Sequence, residues 1–282
     1  MSIFDQPKID THHHVFDPVN FPYIAETAYR PDGHEIGTVE YYQAVMQAYN
    51  IRHSLIVGPT SGYNTDSRCL LDALEKGNGR FRGIAVVPFD SSLDRLAELK
   101  KTGVVGIAMN VAMLGVDPFV AFDDMMGKLA ELDMFAAIQV QDDQLLALMP
   151  MLARTRTKLL FDHSGRPDVS AGLQQPAFQA LLSLAETDRC WIKLSGLSKF
   201  SRQNFPYSDG HQYQLALLEA FGADRSMWGS DWPFLRAEHR MDLGTLLMLF
   251  DNLFPDENTQ KKSCGKPRKS YLDLRIKENN AA

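Results

Sequence analysis

The stretch Ile9-Asp10-Thr11-His12-His13-His14-Val15-Phe16 decides how this chain is read. Apolar residues flank it on both sides, as in a short buried strand, so the histidines belong to a folded element and not to a tag. Strict alternation along a strand places Asp10, His12 and His14 on one face and turns His13 to the other. Two imidazoles at i and i+2 can reach one metal ion or one substrate oxygen. His13 is left for packing.

Seven further short apolar runs follow: Ser54–Gly58, Gly83–Phe89, Val104–Val111, Phe135–Val140, Leu159–His163, Trp191–Ser195 and Met227–Asp231. Between them lie helix-like stretches at Val39–Tyr49, Ser67–Glu75, Leu93–Lys101, Phe119–Leu132, Asp143–Arg154, Gln175–Ala185 and Gln212–Phe221, with a last one from about Met241. Leu70, Ala73 and Leu74 show the i, i+3, i+4 spacing of a helix face. Strands alternating with helices imply a parallel sheet. Eight such units predict a closed (β/α)₈ barrel, for which about 250 residues suffice. The rival, an open doubly wound sheet, would place a GxGxxG after the first strand, and none is there. We read residues 1–262 as one α/β barrel domain and residues 263–282 as an atypical tail.

Composition narrows the function. The 282 residues carry 29 Lys+Arg against 35 Asp+Glu, a net charge of −6, which argues against a nucleic-acid footprint. Hydrophobic residues are 45% and charged residues 23%, ordinary for a globular chain. No run of ~18 apolar residues is present, so a membrane span is not expected. The start, MSIFDQPKID, lacks a basic end followed by an apolar core, so a signal peptide is not expected either. Cys69, Cys190 and Cys264 are scattered with no CxxC, which suits a reducing cytoplasm.

Barrel enzymes do their chemistry at the C-terminal ends of the strands. The sixth run ends Phe161-Asp162-His163-Ser164-Gly165-Arg166, bringing His163 to the strand end and Arg166 into the loop beyond. The eighth ends Trp228-Gly229-Ser230-Asp231-Trp232-Pro233. Asp231 is a carboxylate in an aromatic setting, where burial is expected to raise its pKa and make it a better base.

Singly these signals are weak; together they form DxHxH on strand one, His on strand six and Asp on strand eight. With IDTHHHVFDP, FRGIAVV, FDHSGRPDVSAG, WIKLSG and WGSDWPF, the chain resembles the amidohydrolase superfamily (amidohydrolase-related family 2). Within it the chain looks most like the branch of 2-pyrone-4,6-dicarboxylate lactonase, sugar lactonases and galactarolactone isomerase. The resemblance implies a distorted (β/α)₈ barrel that opens a cyclic ester, with His12, His14, His163 and Asp231 as the catalytic core. It implies His donors on the carbonyl and Asp231 activating water.

The same four side chains are a plausible set for a single divalent metal such as zinc. A two-metal site would want a lysine on strand four and a histidine on strand five, and neither is present. Polarisation of an activated lactone by histidine is chemically sufficient, so no cofactor is expected to be required. The partner expected is a small molecule, with a homodimer allowed. Arg166, Lys199 and Arg202 are candidates for a substrate carboxylate. Asn110, Gln139 and Gln141 suit hydroxyl recognition, and Tyr63 is a candidate for the mouth. Pyrone-dicarboxylate enzymes carry an Arg-Gly-x-Arg-x-Asn run on strand four; here it is Val105-Gly106-Ile107-Ala108-Met109-Asn110. That favours a monocarboxylate or sugar-acid lactone. Galactarolactone isomerase has a loop similar to Phe205-Pro206-Tyr207-Ser208-Asp209 but lacks the first His of the pair, so hydrolysis is expected over isomerisation. A zinc-dependent decarboxylase of the superfamily is the further alternative.

The end of the chain departs from the family. Relatives close with a helix of the type Ile-Leu-x-x-Asn-Pro-x-x-Leu-Phe-Gly-Phe, whereas this chain reads KKSCGKPRKSYLDLRIKENNAA. One choice of synonymous codons for Ser263 through Lys277, preceded by a single added A, reads ILWETPQKLFGFKD and a stop. The expectation is a lost nucleotide near Lys262. Lys266, Arg268, Lys269 and Arg275 then carry no function, and Cys264 is incidental.

Overall fold

A computed structural model describes residues 2–265. Eight parallel strands run in sequence order, each hydrogen-bonded to the next: β1 Lys8–His13, β2 Ile51–Val57, β3 Phe81–Ala85, β4 Val104–Asn110, β5 Phe135–Gln139, β6 Lys158–Phe161, β7 Cys190–Leu194 and β8 Ser226–Trp228. Backbone bonds from Asp231 N to His12 O and from His14 N to Trp232 O join the end of β8 to β1. The fold is the (β/α)₈ barrel expected from the alternation.

Among the described residues, eight helices of eight residues or more cover the outside: α1 Val39–Ala48, α2 Arg68–Lys76, α3 Leu93–Lys101, α4 Asp123–Glu131, α5 Gln144–Arg154, α6 Pro176–Ser183, α7 His211–Phe221 and α8 Leu243–Leu253. Their starts follow capping chemistry. Thr38 and Ser92 accept the Tyr41 and Arg95 amides, and Pro176 opens α6, where its missing N–H costs nothing. α2 buries Cys69, Leu70, Ala73 and Leu74, the stripe its sequence spacing indicated.

The interior of the barrel is filled by Ile9, Leu55, Val57, Ile84, Phe135, Leu160, Trp191 and Met227. Val105 and Ala108 pack on this cluster, so β4 offers no cation to the interior. A second, larger apolar layer joins strands to helices.

One local irregularity places the chemistry. Asp10 pairs with Ser54 and His13 with Ile56, so β1 spends one residue more than β2 over this interval. Such a bulge reverses the alternation. Ile9 lies in the barrel interior while the Asp10 carboxylate meets the α1 residue Tyr42, yet His12 faces inward. The expectation that Asp10 shares a face with His12 and His14 is therefore corrected. Asp10 accepts from Tyr42 Oη (2.7 Å), Ser230 N (2.8 Å), Ser230 Oγ (2.5 Å) and His12 N (3.1 Å). It ties β1 to the loop after β8.

No described helix is long and apolar enough to cross a membrane. Lys261–Gly265 form one wide helical turn against β1 and β8, burying Ser263 and Cys264. Residues 266–282, where most of the unusual tail falls, lie outside the described residues.

Candidate active site

A cavity of about 630 Å³ opens at the C-terminal ends of the strands, with His14, His163 and Asp231 in its wall. Nε2 of His12, His163 and His14 lies 3.7, 3.7 and 3.8 Å from Asp231 Oδ1. These gaps are too wide for direct hydrogen bonds.

The backbone is bent to achieve this. His163 and Asp231 both have positive φ, 50° and 60°, a region that ordinary residues enter at some cost. Gly196 (φ +68°) lies under His163, where a Cβ would come within 2.5 Å of Nδ1. Gly229 lies against His12, 2.8 Å from its Cβ by the same construction.

Hydrogen-bond partners fix where the protons sit. His14 Nδ1 is 2.7 Å from Val57 O, which can only accept. Burial and the neighbouring charges lower the His14 pKa to about 4, so the ring is neutral and its Nε2 is bare. The implied picture of three donor imidazoles is thus not met at His14. His12 Nδ1 is 3.1 Å from Lys193 Nζ, a group that can only donate, and 3.4 Å from Asp162 Oδ1, which can only accept. His163 Nδ1 meets Ser195 Oγ at 3.1 Å, a group able to do either. Burial keeps His163 well below the ordinary imidazole range.

Asp231 departs from expectation in the opposite sense. Burial does push its carboxyl up, but Lys199 and the three histidines outweigh it and hold the group well below the usual range. Lys199 Nζ lies 3.3 Å from Asp231 Oδ2 and donates to Leu235 O at 2.6 Å. Asp231 is therefore ionised, and a weaker base than a carboxylate in water.

The remaining candidates divide. Arg166 borders the cavity, and its buried Nε has no hydrogen-bond partner. Its Nη2 reaches Lys199 O only at a long 3.5 Å, which leaves the guanidinium available to an anion. Gln139 and Gln141 line the wall. Asn110 does too, but its amide caps Met113 N and bonds Thr60 Oγ1. Arg202 stands at the rim, largely exposed and paired with Asp168 at 3.0 Å. Tyr63 is buried among Phe16 and Tyr23, accepts the Asp17 amide and does not line this cavity. His13 stacks on Tyr42 at 3.5 Å and meets Ser54 Oγ.

Lys193 and Asp162 were missed in the sequence. Both are fully buried and lie 2.8 Å apart beneath His12. The signal was there: a lysine two residues after an inward tryptophan on an apolar strand.

His12, His163 and Asp231 offer three ligand atoms within 4.8 Å of one another, close enough to hold a metal ion. A ligating histidine, however, normally donates its second N–H to an acceptor. His14 follows that pattern; at His12 the shorter Nδ1 contact is to Lys193. The spacing of the three ligand atoms suits an ion.

Comparison with known proteins is consistent across sequence and structure. Residues 9–271 match the amidohydrolase family. The 4-sulfomuconolactone hydrolase of Rhizobium radiobacter is 34% identical over 254 residues, covering 88% of this chain and 83% of that protein. The 2-pyrone-4,6-dicarboxylate hydrolase of Comamonas testosteroni is 29% identical over 268 residues, covering 90% and 86%. A crystal structure of a probable 2-pyrone-4,6-dicarboxylic acid hydrolase from Acinetobacter baumannii, with citric acid bound, superposes with a TM-score of 0.82 at 25% identity, covering 95% of this chain and all of that one.

Proposed function

The chain belongs to the amidohydrolase family, and from that premise we propose that it hydrolyses the cyclic ester of a carboxylic or sugar acid. The observation that carries this reading is the set of three His Nε2 atoms 3.7–3.8 Å from Asp231 Oδ1. The lactone hydrolases among its relatives support it.

In the proposed step the lactone carbonyl oxygen faces His12 Nε2–H and the His163 Nε2–H that forms when Ser195 donates to Nδ1. Asp231 takes a proton from water, and the water oxygen bonds to the carbonyl carbon. The resulting oxyanion is held by the two imidazole N–H groups; one such donor is typically worth about 10²–10³ in rate. The ring C–O bond then breaks, and the Asp231 carboxylic acid returns its proton to the departing oxygen. The product is a hydroxy acid.

Arg166 is assigned to a substrate carboxylate, because it borders the cavity with a buried Nε that no hydrogen-bond acceptor satisfies. With Val105 and Ala108 in place of arginines on β4, one carboxylate suits the cavity better than two. A panel of sugar-acid lactones, muconolactones and pyrone dicarboxylate, followed with a pH indicator, tests the proposal. Proton release from a monocarboxylate or sugar-acid lactone is expected. Absence of release from every member, with interconversion of sugar-acid lactones instead, would replace hydrolysis by isomerisation.

A further inference from the structure

We propose that Lys193 is a positioning residue that holds His12 with its proton on Nε2, making it the carbonyl donor and setting it apart from His14, whose bare Nε2 accepts a hydrogen bond from the attacking water. The inference rests on the lactone-hydrolase reading for its catalytic consequence; the placement of the proton stands on contacts alone.

Lys193 is on β7, two residues after the inward-facing Trp191, with no exposed side-chain surface. Burying an ammonium is expensive unless it is paired and hydrogen-bonded. Its pairing is specific: Asp162 Oδ1 at 2.8 Å and His12 Nδ1 at 3.1 Å. An ammonium has three hydrogens and no lone pair, so the nitrogen it faces must accept. A neutral imidazole that accepts at Nδ1 carries its hydrogen at Nε2. Asp162 Oδ1 also stands 3.4 Å from His12 Nδ1, but the shorter contact is to Lys193, which engages that oxygen as well. At His14 the corresponding partner is the Val57 carbonyl, so the hydrogens are reversed. Two histidines of one face, two residues apart, thus present opposite polarity to one reaction centre.

The consequence reaches the metal question. A hydrogen on His12 Nε2 occupies the direction in which His12 would ligate an ion with His163 and Asp231. Lys193 therefore biases the site towards polarising a carbonyl and away from holding a cation.

The test uses full-length protein labelled with ¹⁵N-histidine, in the wild type and in the double variant Lys193→Met/Asp162→Asn, which removes the buried pair together and strands no charge. Two-bond ¹H–¹⁵N spectra report the His12 tautomer, and elemental analysis after zinc exposure reports uptake. The expected wild-type His12 is protonated at Nε2 only. In the double variant the proton moves to Nδ1, zinc uptake rises, and kcat falls on the order of 100-fold with KM little changed. A wild-type His12 protonated at Nδ1 overturns the proposal, and so does a folded double variant with an unchanged tautomer and kcat. Should the variant not fold, the wild-type spectrum alone decides. Failure to find any lactone substrate removes the proposed function but leaves the spectral result standing, so the two failures are distinguishable.

Discussion

Lys199 Nζ lies 3.3 Å from Asp231 Oδ2 while donating to Leu235 O, so a lysine from the loop after β7 braces the carboxylate after β8. It is the largest single influence keeping Asp231 ionised against burial. In the proposed mechanism the base works as the carboxylate, so activity is expected to be lost as pH falls through its pKa. Removing the ammonium in Lys199→Met lets burial push that pKa up. The acidic limb of the kcat/KM profile is expected to move to higher pH. An unmoved limb would show that Asp231 is not the group being titrated.

Asp231→Asn removes the proton acceptor and keeps the shape. Turnover is expected to drop by about 10²–10⁴-fold, the usual worth of a general base. Circular dichroism and the melting temperature should stay near wild type, since Asp231 is placed by its backbone bond to His12 O and its removal opens no cavity. Near-normal turnover in a folded variant would end the assignment.

Gly196 and Gly172 offer a controlled comparison. Both have positive φ, +68° and +73°, but only Gly196 has His163 within reach of a Cβ, at 2.5 Å; Gly172 has nothing within 4 Å. Alanine at either position incurs backbone strain of about 1–2 kcal/mol. A kcal/mol corresponds to roughly 2–4 °C in a chain of this order of size. Both variants should melt lower, and only Gly196→Ala should also lose most of its kcat, because His163 is pushed off its line to Asp231. Equal losses of kcat in the two would mean that strain alone matters.

Much of this arrangement is readable from the sequence. Period and alternation are backbone properties repeated eight times, so errors of a residue or two at strand ends do not disturb the topology. The inward pair His12 and His14 is right, but the strict alternation used to reach it fails at Asp10, because a one-residue bulge in β1 depends on the neighbouring strand. Lys193 escaped because a charged residue in a strand reads as an edge or surface position unless its partners are known. The sign of the Asp231 shift was equally hidden. Burial is visible in an apolar sequence context, whereas a lysine 32 residues upstream in the chain is not. Tyr63 was misplaced by the same limit, since a loop aromatic can turn to the cavity or to Phe16 without change in sequence pattern.

Arg166→Gln keeps hydrogen-bonding capacity but removes the charge. Hydrogen bonds to charged groups are worth about 1.5–3 kcal/mol, so KM for a carboxylate-bearing lactone should rise roughly 10- to 100-fold. kcat should change less, because Arg166 is assigned to the substrate and not to the reacting carbonyl. A neutral lactone of the same ring should show little change in KM. A fall confined to kcat would move Arg166 from substrate binding to the reaction centre.

Position 264 gives the shifted-frame reading of the tail a physical test. Cys264 is buried in the main apolar core, in the turn that packs on β1 and β8 beside Pro7. The alternative frame would supply an apolar series, ILWETPQKLFGFKD, from residue 263 onward. A leucine replaces the thiol at this core position, and a tryptophan and two phenylalanines follow. Each large apolar side chain fully buried is worth about 1.5–3 kcal/mol. The chain rebuilt with that ending should therefore melt several degrees higher and retain turnover, and the gene should show codons at 263–277 compatible with both frames. Codons that forbid the overlap, or a rebuilt chain that melts no higher, would assign the present tail to the protein itself.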